Sequence, residues 1–454
     1  MEAPAVVFIS YHYPPSNEIG ARRTGALVGW LVENDIRVIV VSRFGDPTLT
    51  SSGSDSSTTE VRIPDSGRTL LKSVVAAKHS VSRLLSRLRT PGAAELERGS
   101  GAPVLDGSPH RPVSVRQRLV QLMVCLDEYK MWSLRAAWAA HAAARRLNAR
   151  AVIASGPPMT NLLAGLWVAR LRRIPFLADF RDPWYAGFAA LPQPSAFERG
   201  LRSSMERLLV HRSAAVTVTT DSLAQQLMAT YPAASGRVHV VRNGFDGEPR
   251  QLSTSTGHYL RFLFAGEIYV NRDPFPFLEA LERLLALDNT DGSRVSATFV
   301  GHCEAYRGVR LADWLRGKRC EALVRILPAV TLQTVAAMQA ESSVLLNFAQ
   351  ASILAVPAKT YEHMAIGREI LVFSEAHSST ARLVSGIAGV TCVDPTDTAS
   401  VDRAVADLYH RHVIIGELTS PPVAAVHGFA REVQRRAFTE VVQSLLAPKT
   451  DERS

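Results

Sequence analysis

Cysteine is scarce and scattered in this chain of 454 residues: Cys125, Cys303, Cys320 and Cys392 lie far apart and form no CxxC. That excludes a disulfide-stapled secreted scaffold and a Cys-based zinc module, and it fits a reducing, cytoplasmic compartment. Familiar catalytic signatures are missing too. The sequence has no GxGxxG, no GxxxxGK(S/T), no GxSxG, no HExxH and no DxD. A nicotinamide cofactor, a Walker-type phosphate loop, a nucleophile elbow, a zincin helix and a DxD-held metal are therefore unsupported. His410 and His412 form an isolated HxH and read as surface residues rather than ligands. The expectation is a protein without a metal or a resident cofactor.

Long apolar runs are also lacking. Ala151 to Ala169 is uncharged and has the length of a membrane span. Gly156-Pro157-Pro158 divides it, however, into a strand (AVIAS) and a helix (NLLAGLWVA). Met1-Glu2-Ala3-Pro4 has no basic n-region, and VVFIS is too short and β-branched for a signal core, so the start reads as a mature cytoplasmic one. Hydrophobic residues at 46% and charged residues at 20% are ordinary globular usage. The net charge of +9 asks for an anionic partner. Lys and Arg are spread without interleaved aromatics, which disfavours nucleic acid.

Short apolar strands alternate with helical patterns throughout. VVFIS, RVIVVS, AVIAS, FLADF, AVTVTT and VHVVRN lie in the first half; RFLFAG, ATFVG, VRILP, SVLLNF, EILVFS and VTCV lie in the second. Two such sets predict an α/β protein of two Rossmann-like, doubly wound domains, residues 1–245 and 259–425, joined by the polar segment NGFDGEPRQLSTSTGH. A basic helix over 428–447 lies outside the second pattern and is expected to pack back toward the first domain. Residues 44–118 form a loop-rich insertion with Ser/Thr/Gly runs. Within it, a helix predicted over 69–89 sets Leu70, Leu71, Val74, Val81 and Leu85 on one stripe and carries Lys72, Lys78, Arg83, Arg87 and Arg89 without an acid. Both a helix on an anionic membrane surface and an ordinary domain helix with a solvated basic face fit that pattern.

Four loops carry candidate chemistry. After the first strand come His12 and Tyr13, then Gly20 and Arg22 at a helix start, where a glycine admits close approach and helix amides face a phosphate. A purely structural turn fits that loop equally. Gly266-Glu267 ends the second domain's first strand, and Arg272 follows before a helix, an arrangement suited to pyrophosphate or to a solvated surface arginine. Lys359 and Glu362 open a helix after another strand, where the cation meets phosphate and the carboxylate accepts from a ribose diol. An i,i+3 pair serving only the helix is the alternative. Arg181, Asp182 and Trp184 follow FLADF and face the same cleft, as functional groups or as a structural Arg–Asp pair.

Taken in order, YHYPPSNEIGARR, SGPPMTNLLAGLWVARLRRIPFLADFRDPW, VHVVRNGFD, LFAGEIYVNRDP, VPAKTYEHMAIGREILVFSE and FAREVQRRAFTEVV resemble the GT-B glycosyltransferases, specifically the retaining family 4 that uses nucleotide sugars. The resemblance implies two Rossmann-like domains facing across a cleft. It implies donor contacts at Gly20, Gly266, Glu267, Arg272, Lys359 and Glu362, and an acceptor side at His12, Tyr13, Arg22 and Trp184. Catalytic roles fall to Arg272, Lys359, Arg181 and Asp182, without a metal. Glu362 matches the second glutamate of the family's E-x7-E motif, while Leu354 stands at the first. Arg181-Asp182 stands where many members carry His-Asp.

The implied reaction moves a hexose from a UDP-, GDP- or dTDP-linked donor, with retention, to a lipid-linked or cell-surface glycan precursor such as a polyprenyl-linked sugar. The implied location is the cytoplasm, peripheral on the inner face of the plasma membrane. A nucleotide-sugar epimerase, or a catalytically idle sugar-nucleotide-binding or membrane-scaffold protein, would share the cleft.

Overall fold

A computed structural model describes residues 3–16, 18–43, 57–65, 127–184, 196–250, 257–269 and 271–447. The first sheet contains β1 (Ala5–Ile9), β2 (Arg37–Arg43), β3 (Thr58–Ile63), β4 (Ala151–Gly156), β5 (Phe176–Phe180), β6 (Ala215–Val218) and β7 (Val238–Val240), in the order β3-β2-β1-β4-β5-β6-β7. All its pairings are parallel. Its helices are α1 (Ile19–Glu33), α2 (Lys130–Arg146), α3 (Thr160–Arg172), α4 (Ala196–Arg212) and α5 (Asp221–Thr230). Every residue of β1, β4, β5 and β6 is buried, as strands covered on both faces must be. Val7, Ile9, Val152 and Ala154 enter one core cluster, while Val6, Phe8, Ala151 and Ile153 enter the other, following the two-residue period of a strand.

The second sheet has the order β12-β9-β8-β13-β14-β15, again all parallel. Its strands are β8 (Leu260–Glu267), β9 (Val295–His302), β12 (Val324–Leu327), β13 (Val344–Phe348), β14 (Glu369–Phe373) and β15 (Val390–Val393). A small hairpin, β10 (Ala305–Tyr306) with β11 (Val309–Arg310), stands outside it. The helices are α6 (Phe275–Leu285), α7 (Leu311–Leu315), α8 (Leu332–Glu341), α9 (Ala358–Ile366), α10 (Ser379–Val384), α11 (Thr398–Tyr409), α12 (Val423–Val426) and α13 (Arg431–Leu446). Phe262, Phe264, Phe277, Phe299, Phe348 and Phe373 fill the space between sheet and helices. Helix α13 joins the first domain: Phe438, Val441, Val442 and Leu446 pack among Val6, Phe8 and Leu27, and Arg150 Nη2 donates to Leu446 O at 3.0 Å.

Strand order positions the site. The direction of winding reverses between β1 and β4 in the first sheet and between β8 and β13 in the second, and such reversals open a crevice at the C-terminal strand ends. The loops after β1, β4, β8 and β13 flank these crevices.

Strand β3 differs from the sequence expectation, since it lies inside the segment read as loop-rich. It pairs with β2 from Val38 to Arg43. An edge strand needs only one neighbour, so TTEVRI folds without the apolar run that marks the central strands. The helix expected over 69–89 lies outside the described residues. Among the described residues, no helix is long and apolar enough to cross a membrane.

Candidate functional site

The loop after β1 is shaped by its own residues. His12 Nδ1 pairs with Glu18, which immediately precedes α1, and the His12 carbonyl accepts from Ser10 Oγ at 2.8 Å. Tyr13 is half-buried, and burial, with Glu60 nearby, pushes its hydroxyl up to about 12. Gly20 lies in the first turn of α1, where a Cβ would overlap the Arg181 guanidinium. The missing side chain lets that cation rest over the helix N-terminus. Arg181 is held from below by the carbonyls of Gly156 (Nε, 3.3 Å) and Pro157 (Nη2), and its own carbonyl accepts from Thr219 Oγ1 at 2.8 Å.

The buried Arg–Asp pair of this region is a different one from that expected. Asp179 binds Arg23 Nη2 at 3.0 Å and Thr217 Oγ1 at 2.8 Å through Oδ1, and Ser155 Oγ at 2.7 Å through Oδ2. Burial raises its pKa, but the Arg23 charge and these hydrogen bonds outweigh burial and hold the carboxyl below its ordinary value. Arg23 also donates to Val241 O at 2.9 Å and Arg242 O at 3.0 Å, bracing the start of α1 against the end of β7. Arg181 is thereby released from structural pairing with Asp179. Asp182 is half-buried beside it, and burial raises that carboxyl against the pull of Arg181. Trp184 is 8% exposed and packs in the first domain's core, so its side chain supports the cleft instead of facing an acceptor.

On the opposite side, β8 and β9 end in register at Gly266 and Gly301. Gly266 has φ +150°, and a Cβ there would overlap the Lys359 ammonium; Gly301 has φ +120°, and a Cβ there would overlap the Gly266 carbonyl oxygen. Only glycine satisfies both the backbone and the space at these two positions. Lys359 reaches back from the first turn of α9 to donate to Ala265 O, with its ammonium 4.7 Å from the Phe264 ring centroid. Burial, then the Arg272 charge, push the ammonium down to about 8, while Glu362 pulls it upward. Arg272 donates to Glu267 O at 3.1 Å and lies over Tyr269 at 4.3 Å.

A side-chain clamp fixes these cations together. Gln350 accepts from Asp273 N at 3.0 Å and donates to Asp273 O at 2.8 Å, tying the loop that bears Arg272 to the loop that bears Lys359. His363 is buried behind them. Burial, Lys359 and Arg272 push its imidazole down to about 3, which keeps it neutral. The Glu267 side chain is exposed at the end of β8. Glu362 is also solvent-facing and meets Arg22 of the first domain at 3.9 Å, a contact between the two halves of the site. The Arg22–Glu362 contact thus joins the Gly20–Arg181 corner of the first domain to the Gly266–Arg272–Lys359 corner of the second. Among the described residues, no three His, Cys, Asp or Glu side chains gather as a metal centre.

Residues 20–244 match the family of glycosyl transferase 4-like domains. Solved structures align over the whole chain. A glycosyltransferase from Rickettsia africae is 10% identical over 99% of this chain and 100% of its own, with a TM-score of 0.59. Residues 20–244 belong to that family, and the chain as a whole has the two-domain GT-B fold. Anabaena HepE, crystallised with UDP and glucose, is 11% identical over 97% of this glycosyltransferase and 100% of its own chain, with a TM-score of 0.52. WaaG, a glycosyltransferase involved in lipopolysaccharide biosynthesis, is 11% identical over 97% and 98%, with a TM-score of 0.52. At such identities the solved structures speak for the fold alone. No curated protein sequence matches this one.

Several groups that build the glycosyltransferase cleft are not singled out by sequence reasoning. Gly301 has a legible signal, because aligning the ends of the adjacent strands FLFAGE and ATFVGH puts two glycines side by side. Gln350 and the Arg23–Asp179 brace have none, since both join segments that only the fold brings together.

Proposed function

We propose that this glycosyltransferase takes a sugar from a nucleoside-diphosphate donor seated on the second domain and passes it, with retention, to an acceptor in the first-domain half of the cleft. The proposed acceptor is a lipid-linked or cell-surface glycan precursor. The convergence of Arg272 and Lys359 on the bare backbone of Gly266, with Glu362 one turn further along α9, is the observation that supports this reading best. A diphosphate laid against Gly266 and Glu267 would meet both cations, and the Glu362 carboxylate would accept from the ribose diol. Arg181 over the N-terminus of α1, beside Gly20, offers a third cation from the other side.

In the proposed step, the bond between the anomeric carbon and the diphosphate oxygen breaks as the acceptor oxygen bonds to the same face of that carbon. The acceptor proton passes to the departing diphosphate. Charge grows on the diphosphate as the bond breaks, and fixed cations aimed at it lower the barrier because they need no reorganisation. This reading assigns that charge to Arg272, Lys359 and Arg181, with Asp182 orienting Arg181. His12, Tyr13 and Arg22 line the acceptor half; Trp184 acts only as support. Incubation with UDP-, GDP- and dTDP-sugars and polyprenyl-phosphate acceptors tests the reading through nucleoside-diphosphate release and the anomeric configuration of the product. Release no greater than that of Glu362→Ala, or an inverted product, would sink it.

A further inference from the structure

We propose that the outer face of α2 and α3 docks this enzyme on an anionic lipid bilayer. The inference does not depend on what the acceptor is. Met131, Leu134 and Trp138 recur along one side of α2 and are 53%, 59% and 65% exposed; Trp167 and Leu171 of α3 are 38% and 50% exposed. Trp138 and Trp167 meet with ring centroids 5.1 Å apart, so the two helices present one aromatic and aliphatic surface. The other side of α2 is already spent, because Trp132, Ala136, Ala140 and Ala144 are buried in the core.

Charge selects the occupant. Neither helix contains an Asp or a Glu, whereas Lys130, Arg135, Arg145, Arg146, Arg170 and Arg172 lie within them. Arg145, Arg146 and Arg170 are exposed and form no salt bridge among the described residues. Indole rings settle at the boundary of headgroups and acyl chains, and Arg side chains reach past them to lipid phosphates. A second copy would bring the same cations to the face. Residues 66–126 of this chain, with ten Lys and Arg against three Asp and Glu, would also meet it with like charge.

Placement adds a reason. Helices α2 and α3 both begin at the cleft edge of the first sheet, where Asp127, just before α2, accepts from Thr160 N at 2.9 Å at the start of α3. A bilayer against this face would lie beside the mouth of the cleft.

The test is co-sedimentation of the full-length protein with phosphatidylglycerol-containing vesicles and with pure phosphatidylcholine vesicles, without donor or acceptor. Binding is expected only to the anionic vesicles, with release by salt. Each cation near a charged bilayer contributes about fivefold in affinity, so Arg145→Gln with Arg170→Gln should weaken binding roughly 25-fold. Trp138→Ser with Trp167→Ser should abolish the blue shift of tryptophan fluorescence on vesicles. All four changes are on the surface, so thermal melting and nucleotide binding should not move. Unchanged vesicle binding in both double variants overturns the proposal. So does loss of binding in Arg83→Glu with Arg87→Glu alone, which would move the contact to residues 69–89. A dimer that dissolves in the tryptophan variants would instead mean that a second copy covers the face.

Discussion

Replacing Lys359 with methionine separates what the ligand gains from what the empty fold loses. The ammonium titrates at about 8 instead of 10.5, because burial and Arg272 disfavour its charge. At 1.36 kcal/mol per pH unit, that displacement is a penalty of roughly 3 kcal/mol in the folded state at neutral pH. The hydrogen bond to Ala265 O offsets about 1 kcal/mol of it. Methionine keeps the length of the chain over Phe264 and sheds the charge, so the variant should be more stable by about 2 kcal/mol. For a domain of this size, each kcal/mol is about 2–4 °C in melting temperature.

The dependence on pH has a definite sign. Below about 8 both folded and unfolded chains hold the proton, and the wild type bears the whole penalty. Between about 8 and 10.5 the unfolded chain holds a proton that the folded one has released, so wild-type stability rises with pH and the advantage of the variant fades. Scanning fluorimetry of both proteins from neutral to alkaline pH reads this directly. Calorimetry with UDP should show binding weakened by about tenfold to a hundredfold, the worth of a charged hydrogen bond to phosphate. A variant less stable than wild type at neutral pH, or an advantage undiminished at alkaline pH, would refute the reasoning.

Gly20→Ala should displace the Arg181 guanidinium from the N-terminus of α1, cutting turnover at least about tenfold while the melting temperature stays within about 2 °C, since the helix itself tolerates alanine. Asp179→Asn leaves Arg23 buried without its counter-charge and should cost about 3–5 kcal/mol in urea unfolding. The contribution of Asp179 is present above the ordinary carboxylate pKa and is lost as pH falls through its lower folded value, so the deficit of the asparagine variant should shrink in acid; a constant deficit would mean that charge is not its cause. Gly301→Ala combines a positive φ with overlap on the Gly266 carbonyl and should yield insoluble or unfolded protein on expression.

The central strands were legible in the sequence because a parallel strand buried on both faces needs a continuous apolar run, and VVFIS, AVIAS and EILVFS supply it. Strand β3 was not, since an edge strand makes no such demand. Gly266, Arg272, Lys359 and Glu362 are visible for a related reason: Gly266 lies at the end of β8, Arg272 in the loop after it, and Lys359 and Glu362 at the start of the helix that follows β13, and strand ends of a doubly wound sheet point to the crevice. Pairing across loops is less visible. Asp179 has Arg181 two residues away, yet it pairs with Arg23, 156 residues distant in sequence, because the fold brings the end of β5 beside the start of α1. Trp184 follows the same strand end but turns inward, and nothing in DFRDPW distinguishes a ring that faces the cleft from one that supports it.

Leu354 shows how a departure from a family pattern acquires a physical reason. It stands where the resemblance has a glutamate, on the loop between β13 and α9 that also delivers Lys359 and Glu362. Its side chain packs against the core of the first domain, and its carbonyl accepts from Thr220 Oγ1, the capping residue of α5, at 2.6 Å. Two further ties cross the cleft among the described residues: Arg22 to Glu362 at 3.9 Å, with both side chains about two-fifths exposed, and Arg382 Nη1 to Ser222 Oγ at 3.2 Å. An exposed ion pair such as Arg22–Glu362 contributes little. A carboxylate at position 354 would give up that apolar contact and lie partly desolvated against apolar side chains, which is unfavourable. Leucine therefore suits this closed arrangement in a way glutamate does not. One segment of chain then does two things at once, packing on the first domain through Leu354 and placing the buried Lys359 ammonium against Ala265 O five residues later. A movement that separated the two domains would lift Leu354 off the first-domain core and break its hydrogen bond to Thr220, pulling on the segment that carries Lys359.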